Sequence, residues 1–264
     1  MGFITVSRGR LCMEKEITEH VFPIRFSDCN PKSRLRVSAF FDFMEETAIL
    51  DAEENGFGIW KMVQQGYTSV ISRIKLRINY IPRWGEKLHV STWTKSIYEH
   101  KVALRDYSIT DDNGNMIAEA TSSWLLVNLQ TGRSEDPEQT PFIPNLYPEK
   151  SAISERLELI DVRPNPQILL TKTAAYSDID MNRHVNNCRY VDWILDALFL
   201  DPGMKGKEIR SLQINFLAGI PLGENVHLVR FENSNHHAYI FGVNAKDPAK
   251  VHFQARIGIV DKDR

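Results

Sequence analysis

FSDCNPKSRLRVSAFFDFMEE (26–46) and YSDIDMNRHVNNCRYVDWILD (176–196) are two versions of one pattern, and pairing them decides the fold. Each sets an aromatic-Ser-Asp triplet ahead of an amphipathic helix. In the second copy Tyr190, Trp193, Ile194, Ala197 and Leu198 fall at helical spacing, and in the first Phe40, Met44, Thr47 and Ala48 do the same. Asp201-Pro202-Gly203 ends the second helix, because proline cannot extend a helix and glycine readily closes one. VSAFF (37–41) reads as the first copy's counterpart of HVNN, so the first copy lacks the histidine.

Similar strands follow each helix. LRINYIPRWGEKLHVSTW (76–93) echoes LQINFLAGIPLGENVHLVRF (212–231), and Ile74, Leu76, Ile78 and Tyr80 alternate with polar residues, the period of a half-buried strand. A strand–turn–strand comes next in both halves, its turn DDNG (111–114) in the first and AKDPAK (245–250) in the second. An extra NGFGIWKMVQQGYT (55–68) interrupts only the first copy. Six of the twelve prolines lie from Pro137 to Pro166, a density that disfavours regular structure and predicts a connector. The reading is two α+β units, each a helix wrapped by an antiparallel sheet: residues 1–135, a Pro-rich linker over 136–167, and residues 168–264.

Composition narrows the function. With 264 residues, 42% hydrophobic, 25% charged and a net charge of -2, the chain carries no basic excess that would suit nucleic acid or an anionic membrane. No apolar run approaches the ~20 residues of a membrane helix, and the N-terminus shows no signal-peptide core and cleavage site. Cys12, Cys29 and Cys188 form neither an even disulfide set nor a CxxC spacing, so a reduced, cytoplasmic protein is expected. The eight histidines show no metal-ligand spacing, and neither GxGxxG nor GxxxxGK[ST] occurs. No metal and no cofactor are expected.

The chemistry concentrates in residues 178–188. Asp178, Asp180 and Asn182 precede the helix in a turn, His184 sits at or just before its start, and Asn186 and Asn187 are placed to cap it. A helix N-terminus offers unpaired N–H donors and a positive dipole end that can hold an oxyanion. A carboxylate, an amide and an imidazole at alternate positions beside it could orient a substrate and activate water. The same residues could equally cap the helix and leave His184 on the surface. Cys188, four residues after His184, admits a Cys–His pair on one helix face or a small packed side chain.

SDIDMNRHVNN followed by Tyr190 and Trp193 resembles the signature of hotdog-fold thioesterases, and more narrowly of the plant and bacterial acyl-ACP thioesterases. INYIPRWGEKLHVSTW and EATSSWLLVNLQTGR (119–133) resemble further stretches of that family in the same order. The resemblance implies a tandem hotdog fold and hydrolysis of the thioester between a fatty acyl chain and acyl carrier protein, without a metal. It carries the D-x-N-x-H residues to Asp180, Asn182 and His184. The family's debated cysteine and neighbouring glutamate lie in the strand after the helix; here Ala218, Gly219, Ile220 and Pro221 stand there, and the nearest carboxylate is Glu224. That departure argues against a cysteine nucleophile, makes Cys188 a packing residue, and leaves any second acid unassigned. The resemblance further implies an acyl pocket lined by the first half, with Phe40, Phe41, Met44 and Trp60 as candidates. Arg183 and Arg189 are candidates for docking the acidic carrier protein. The expected assembly is a monomeric pseudo-dimer or a homodimer. An acyl-CoA thioesterase of the same fold and a non-catalytic acyl-binding protein are the alternatives.

Overall fold

Alternation in the strands sorts side chains onto two faces. Ile74, Leu76 and Ile78 are buried on one face while Lys75 and Arg77 point to the other. The computed structural model describes residues 17–161, 165–234 and 237–261. In chain order the first half holds β1 (Thr18–Pro23), α1 (Val37–Glu54), α2 (Ile59–Gln64), β2 (Tyr67–Ile78), β3 (Lys87–Tyr98), β4 (Val102–Thr110), β5 (Met116–Asn128) and the short β6 (Ser134–Glu135). The second half holds β7 (Gln167–Thr173), α3 (Asn187–Phe199), β8 (Lys207–Phe216), β9 (Asn225–Ser234), β10 (His237–Asn244) and β11 (Val251–Asp261). The residues at 55–68 that break the repeat hold α2.

Among the described residues all the strands join one sheet, ordered β1-β3-β4-β5-β2-β8-β11-β10-β9-β7, with β6 on β5. The second half is the first read backwards about the antiparallel β2–β8 seam, where Ile74 faces Ile214 and Leu76 faces Leu212. This is the tandem hotdog, an α+β fold in which two helices are wrapped by one continuous antiparallel sheet. α1 and α3 pack against each other. One apolar core runs through both halves, taking Phe40, Met44 and Ala48 from α1 and Tyr190, Ile194 and Leu198 from α3.

Backbone hydrogen bonds fix how the copies align. Asp28 O accepts from Arg36 N at 2.9 Å, and Asp178 O from Asn186 N at 2.8 Å. Leu35 N donates to Pro82 O and Val185 N to Ile220 O, both at 2.9 Å. Isolated bridges pair Cys29 with Leu35 and Arg34 with Arg83 in the first copy, Ile179 with Val185 and His184 with Pro221 in the second. The position of His184 is therefore taken by Arg34 in the first copy, that of Asp180 by Asn30 and that of Asn182 by Lys32. The expectation that VSAFF stands opposite HVNN is corrected: VSAFF is the first turn of α1, matching Asn187 to Val191 of α3.

The proline-rich segment is no free spacer. It crosses the sheet face remote from the helices, giving Ile153 O to Lys95 Nζ (2.7 Å), Leu157 O to Arg73 Nη1 (2.6 Å) and Glu158 O to Gln213 Nε2 (2.7 Å). Ile160 ends the crossing against Val229, Phe231, Tyr239 and Phe241. The segment thus spans the seam from outside while α1 and α3 close it from within.

Truncation at the seam tests this continuity. Ile214 is fully buried opposite Ile74, so Ile214→Ala is expected to cost about 2–5 kcal/mol. In urea the midpoint should fall with an unchanged slope and a single transition for both halves.

Candidate active site

The turn before α3 is built by its own backbone. Asp180 N–H donates to His184 O at 2.9 Å, Arg183 N–H to Asp180 O at 3.0 Å, and Asn182 N–H to Asp180 Oδ1 at 2.8 Å. Arg183 closes the loop at a φ of 64°, in the left-handed region. The Asp178 carboxylate braces the entry by accepting from Ala175 N–H at 2.9 Å. Asp180 is half-buried, and Asn182, Arg183 and His184 are exposed. The structure thus brings the three D-x-N-x-H residues onto one tight loop. Among the described residues no hydrogen bond joins their side chains.

His184 is shaped by what lies across from it. A Cβ on Gly219 would fall 2.6 Å from His184 Cδ2 and 2.8 Å from Cγ, so the imidazole lies against a backbone that only glycine leaves open. A side chain at 219 and this histidine position exclude each other. Glu224 is occupied elsewhere: its carboxylate accepts from Lys250 Nζ at 3.3 Å and pairs with the buried His252.

The start of α3 carries the remaining polar groups. Asn186 is the cap, its Oδ1 accepting from Cys188 N–H at 2.8 Å. Its amide donates across the helix pair to Glu45 of α1, at 3.2 Å from Oε2. The Cys188 thiol, 1% exposed, donates to the same Glu45 Oε2 at 3.1 Å. Asp42, one turn earlier on α1, also engages this thiol. Burial pushes the thiol well above its ordinary pKa, and the neighbouring Glu45 and Asp42 charges push it further. A thiolate is the reactive form of cysteine, so these surroundings suppress a nucleophile at Cys188. Burial likewise raises Glu45, opposed by the bonds from Cys188 and Asn186 and reinforced by the Asp180 and Asp42 charges.

Glu45 is the group that sequence reasoning overlooked. Its position on α1 gave no signal, because it meets Asn186 and Cys188 only once the helices pack. The other candidates divide. Phe40, Phe41 and Met44 are core residues, 0%, 4% and 1% exposed, whereas Trp60 on α2 is 68% exposed. Arg183 is exposed on the loop and Arg189 donates to Asp192 at 2.7 Å. Cys29 and Cys188 are unpaired. Among the described residues one group could approach a cation, His100 with Asp136 and Glu138, in the first half between the β3–β4 turn and the connector. A cavity of about 240 Å³ lies on the sheet face remote from the helices, lined by Lys75, Arg77 and Arg256, and contains none of the loop residues.

Filling the glycine checks the packing of the ring. Gly219→Ala is expected to displace the His184 imidazole while leaving the fold intact, which a shifted His184 ring resonance beside an otherwise preserved NMR spectrum would record.

Comparison with known proteins agrees with this architecture. Residues 15–138 match the acyl-ACP thioesterase N-terminal domain and residues 167–257 the acyl-ACP thioesterase C-terminal domain. The palmitoyl-acyl carrier protein thioesterase of Gossypium hirsutum is 26% identical over 221 residues, 79% of this chain and 53% of the relative. The Arabidopsis thaliana counterpart is 27% identical over the same shares. The chain thus spans about half the length of these curated relatives. An acyl-ACP thioesterase structure from Bacteroides thetaiotaomicron superposes with a TM-score of 0.81 at 26% identity, covering 92% of this chain and 98% of that one. The 12:0-ACP thioesterase of Umbellularia californica shares the fold, with a TM-score of 0.74 at 20% identity over 93% and 98% of the two chains. With both of its halves matched in order, the chain belongs to the acyl-ACP thioesterase family.

Proposed function

We propose that the protein hydrolyses the thioester of a fatty acyl chain carried on acyl carrier protein, releasing the free acid in fatty acid biosynthesis. The observation that carries this reading is the exposed His184 on the Asp180–Asn182 loop at the capped start of α3, in a chain of this family. A thioester carbonyl is already electrophilic, so water, a proton-handling group and an oxyanion site suffice. The first-turn N–H groups of α3 supply fixed donors at its positive end. Asn186 takes the N–H of Cys188 and Arg189 N–H turns to Asn186 O, and neither bond uses the N–H of Asn187. In this reading that donor and the exposed Asn182 amide hold the carbonyl oxygen or the water as charge develops. His184 handles the proton, and Asp180 biases its orientation and charge. The buried, protonated Cys188 supports leaving the cysteine out of the chemistry.

The carrier protein is acidic, and Arg183 and Arg189 border the loop, so both serve in this reading to steer the encounter. The unpaired Cys29 and Cys188 suit a reducing compartment such as the cytoplasm. The pairing of β2 with β8 lets a single chain supply the two-unit assembly.

Thiol release from acyl-ACPs of graded chain length tests the activity, with matched acyl-CoAs as the competing substrates. His184→Ala is expected to lower kcat by about a hundredfold or more, and a variant hydrolysing at the wild-type rate would remove His184 from the mechanism. Arg183→Glu with Arg189→Glu is expected to lower kcat/KM on acyl-ACP and flatten its salt dependence, leaving kcat little changed.

A further inference from the structure

Each copy of the repeat presents a turn to the helix of the other copy. Asn186 and Cys188 of the second copy meet Glu45 and Asp42 of α1, and Arg36 of the first copy lies 3.9 Å from Asp192 of α3. Aligned copy to copy, Arg36 matches Asn186, Asp192 matches Asp42, and the match of Glu45 is Leu195. The two composite places therefore differ in both components. One combines the Asp180–His184 loop with a helix bearing Glu45. The other combines Asn30, Lys32 and Arg34 with a helix bearing Leu195.

Resting on the hydrolase reading above, we infer that Glu45 of the first half is the second acid of the reaction, the base that takes a proton from the attacking water beside His184 of the second half. Four observations support it. Its Oε2 reaches the cap of α3 through Asn186 Nδ2 at 3.2 Å and the first turn through Cys188 Sγ at 3.1 Å. Its charge is felt together with that of Asp180 on the loop. Residues 217–223 after β8 hold no acid, and a side chain at Gly219 would meet the His184 ring. Glu224 is spent on Lys250 and His252.

The step balances without another reactant. Glu45 accepts one proton from water as the water oxygen bonds to the carbonyl carbon, and the C=O electron pair moves onto the carbonyl oxygen. When that pair returns, the C–S bond breaks, the sulfur leaves with the bonding pair, and the proton passes by way of His184 to give the free thiol. A carboxylate held in a desolvated setting is a stronger base than one in water. The groups facing it are Cys188 and Asn186 from α3, Asp180 from the loop, the buried Tyr107 from β4 and Asp42 from its own helix. Burial raises its pKa, the bonds from Cys188 and Asn186 oppose that rise, and the Asp180 and Asp42 charges reinforce it.

Glu45→Gln tests the assignment, because a glutamine oxygen still accepts from Asn186 and Cys188 while the proton acceptor is lost. The expected result on acyl-ACP is a fall in kcat of about a hundredfold or more with KM nearly unchanged. The acidic limb of the wild-type pH–rate profile should vanish. Glu45→Asp should recover part of the rate. A raised carboxyl favours the folded state only while protonated, and that advantage disappears as pH rises through its folded pKa. Glu45→Gln should therefore melt at or above the wild-type Tm at neutral pH, whereas a purely structural role would lower it. A Glu45→Gln enzyme that keeps its kcat, or keeps its acidic limb, overturns the inference while loss of activity in His184→Ala leaves the hydrolase reading standing. Wild-type protein releasing no thiol from any acyl-ACP or acyl-CoA overturns that reading and the inference with it.

Discussion

The antiparallel pairing of β2 with β8 is the constraint on which the rest of the molecule depends. Without that seam each half would expose a long, flat, apolar strand edge, a feature that promotes association. With it, two hotdogs become one sheet of eleven strands, and α1 and α3 are forced side by side over a single core. Ile74, Leu76, Leu212 and Ile214 are each at most 3% exposed, and fully burying such a side chain contributes about 1.5–3 kcal/mol. The connector adds hydrogen bonds across the outer face, so the seam is closed on both sides.

That geometry explains how the two equivalent places of a duplicated chain come to differ. A two-fold repeat builds two equivalent places, each from one copy's turn and the other copy's helix. Substitution has separated them: Arg34 stands where His184 does, and Leu195 where Glu45 does. The first half is more than a pocket wall, because its helix brings two carboxylates to the cap of α3. Neither copy holds the full set of groups alone.

The cluster of Asp42, Glu45 and Cys188 runs against ordinary stability rules. Carboxylates removed from water cost free energy, and burial raises the pKa of both acids, although the Arg189 and Arg36 charges oppose the rise at Asp42. The same electrostatics keep the thiol protonated. Groups that violate local preference without a compensating partner concentrate at functional sites. Arg105 with Asp51 shows the contrast, a buried pair at 2.7 Å that answers each charge with its opposite.

Much was legible from local pattern. The repeat, the two helices, the strand alternation, the DDNG and AKDPAK turns and the D-x-N-x-H loop all depend on near neighbours, whose periodicity is written directly into the chain. The alignment of the repeat was misjudged by a few residues, because VSAFF and HVNN look alike only in position relative to a helix. Backbone bonds such as Leu35 N to Pro82 O, absent from any linear pattern, set it right. Trp60 read as part of an apolar pocket, whereas it is 68% exposed on α2, and a lone aromatic in a short helix carries no periodicity to say which way it points. The place of Glu45 could not be read at all. It stands 141 residues from Asn186, and only the packing of α1 on α3 across the seam gives that carboxylate its neighbours and its burial.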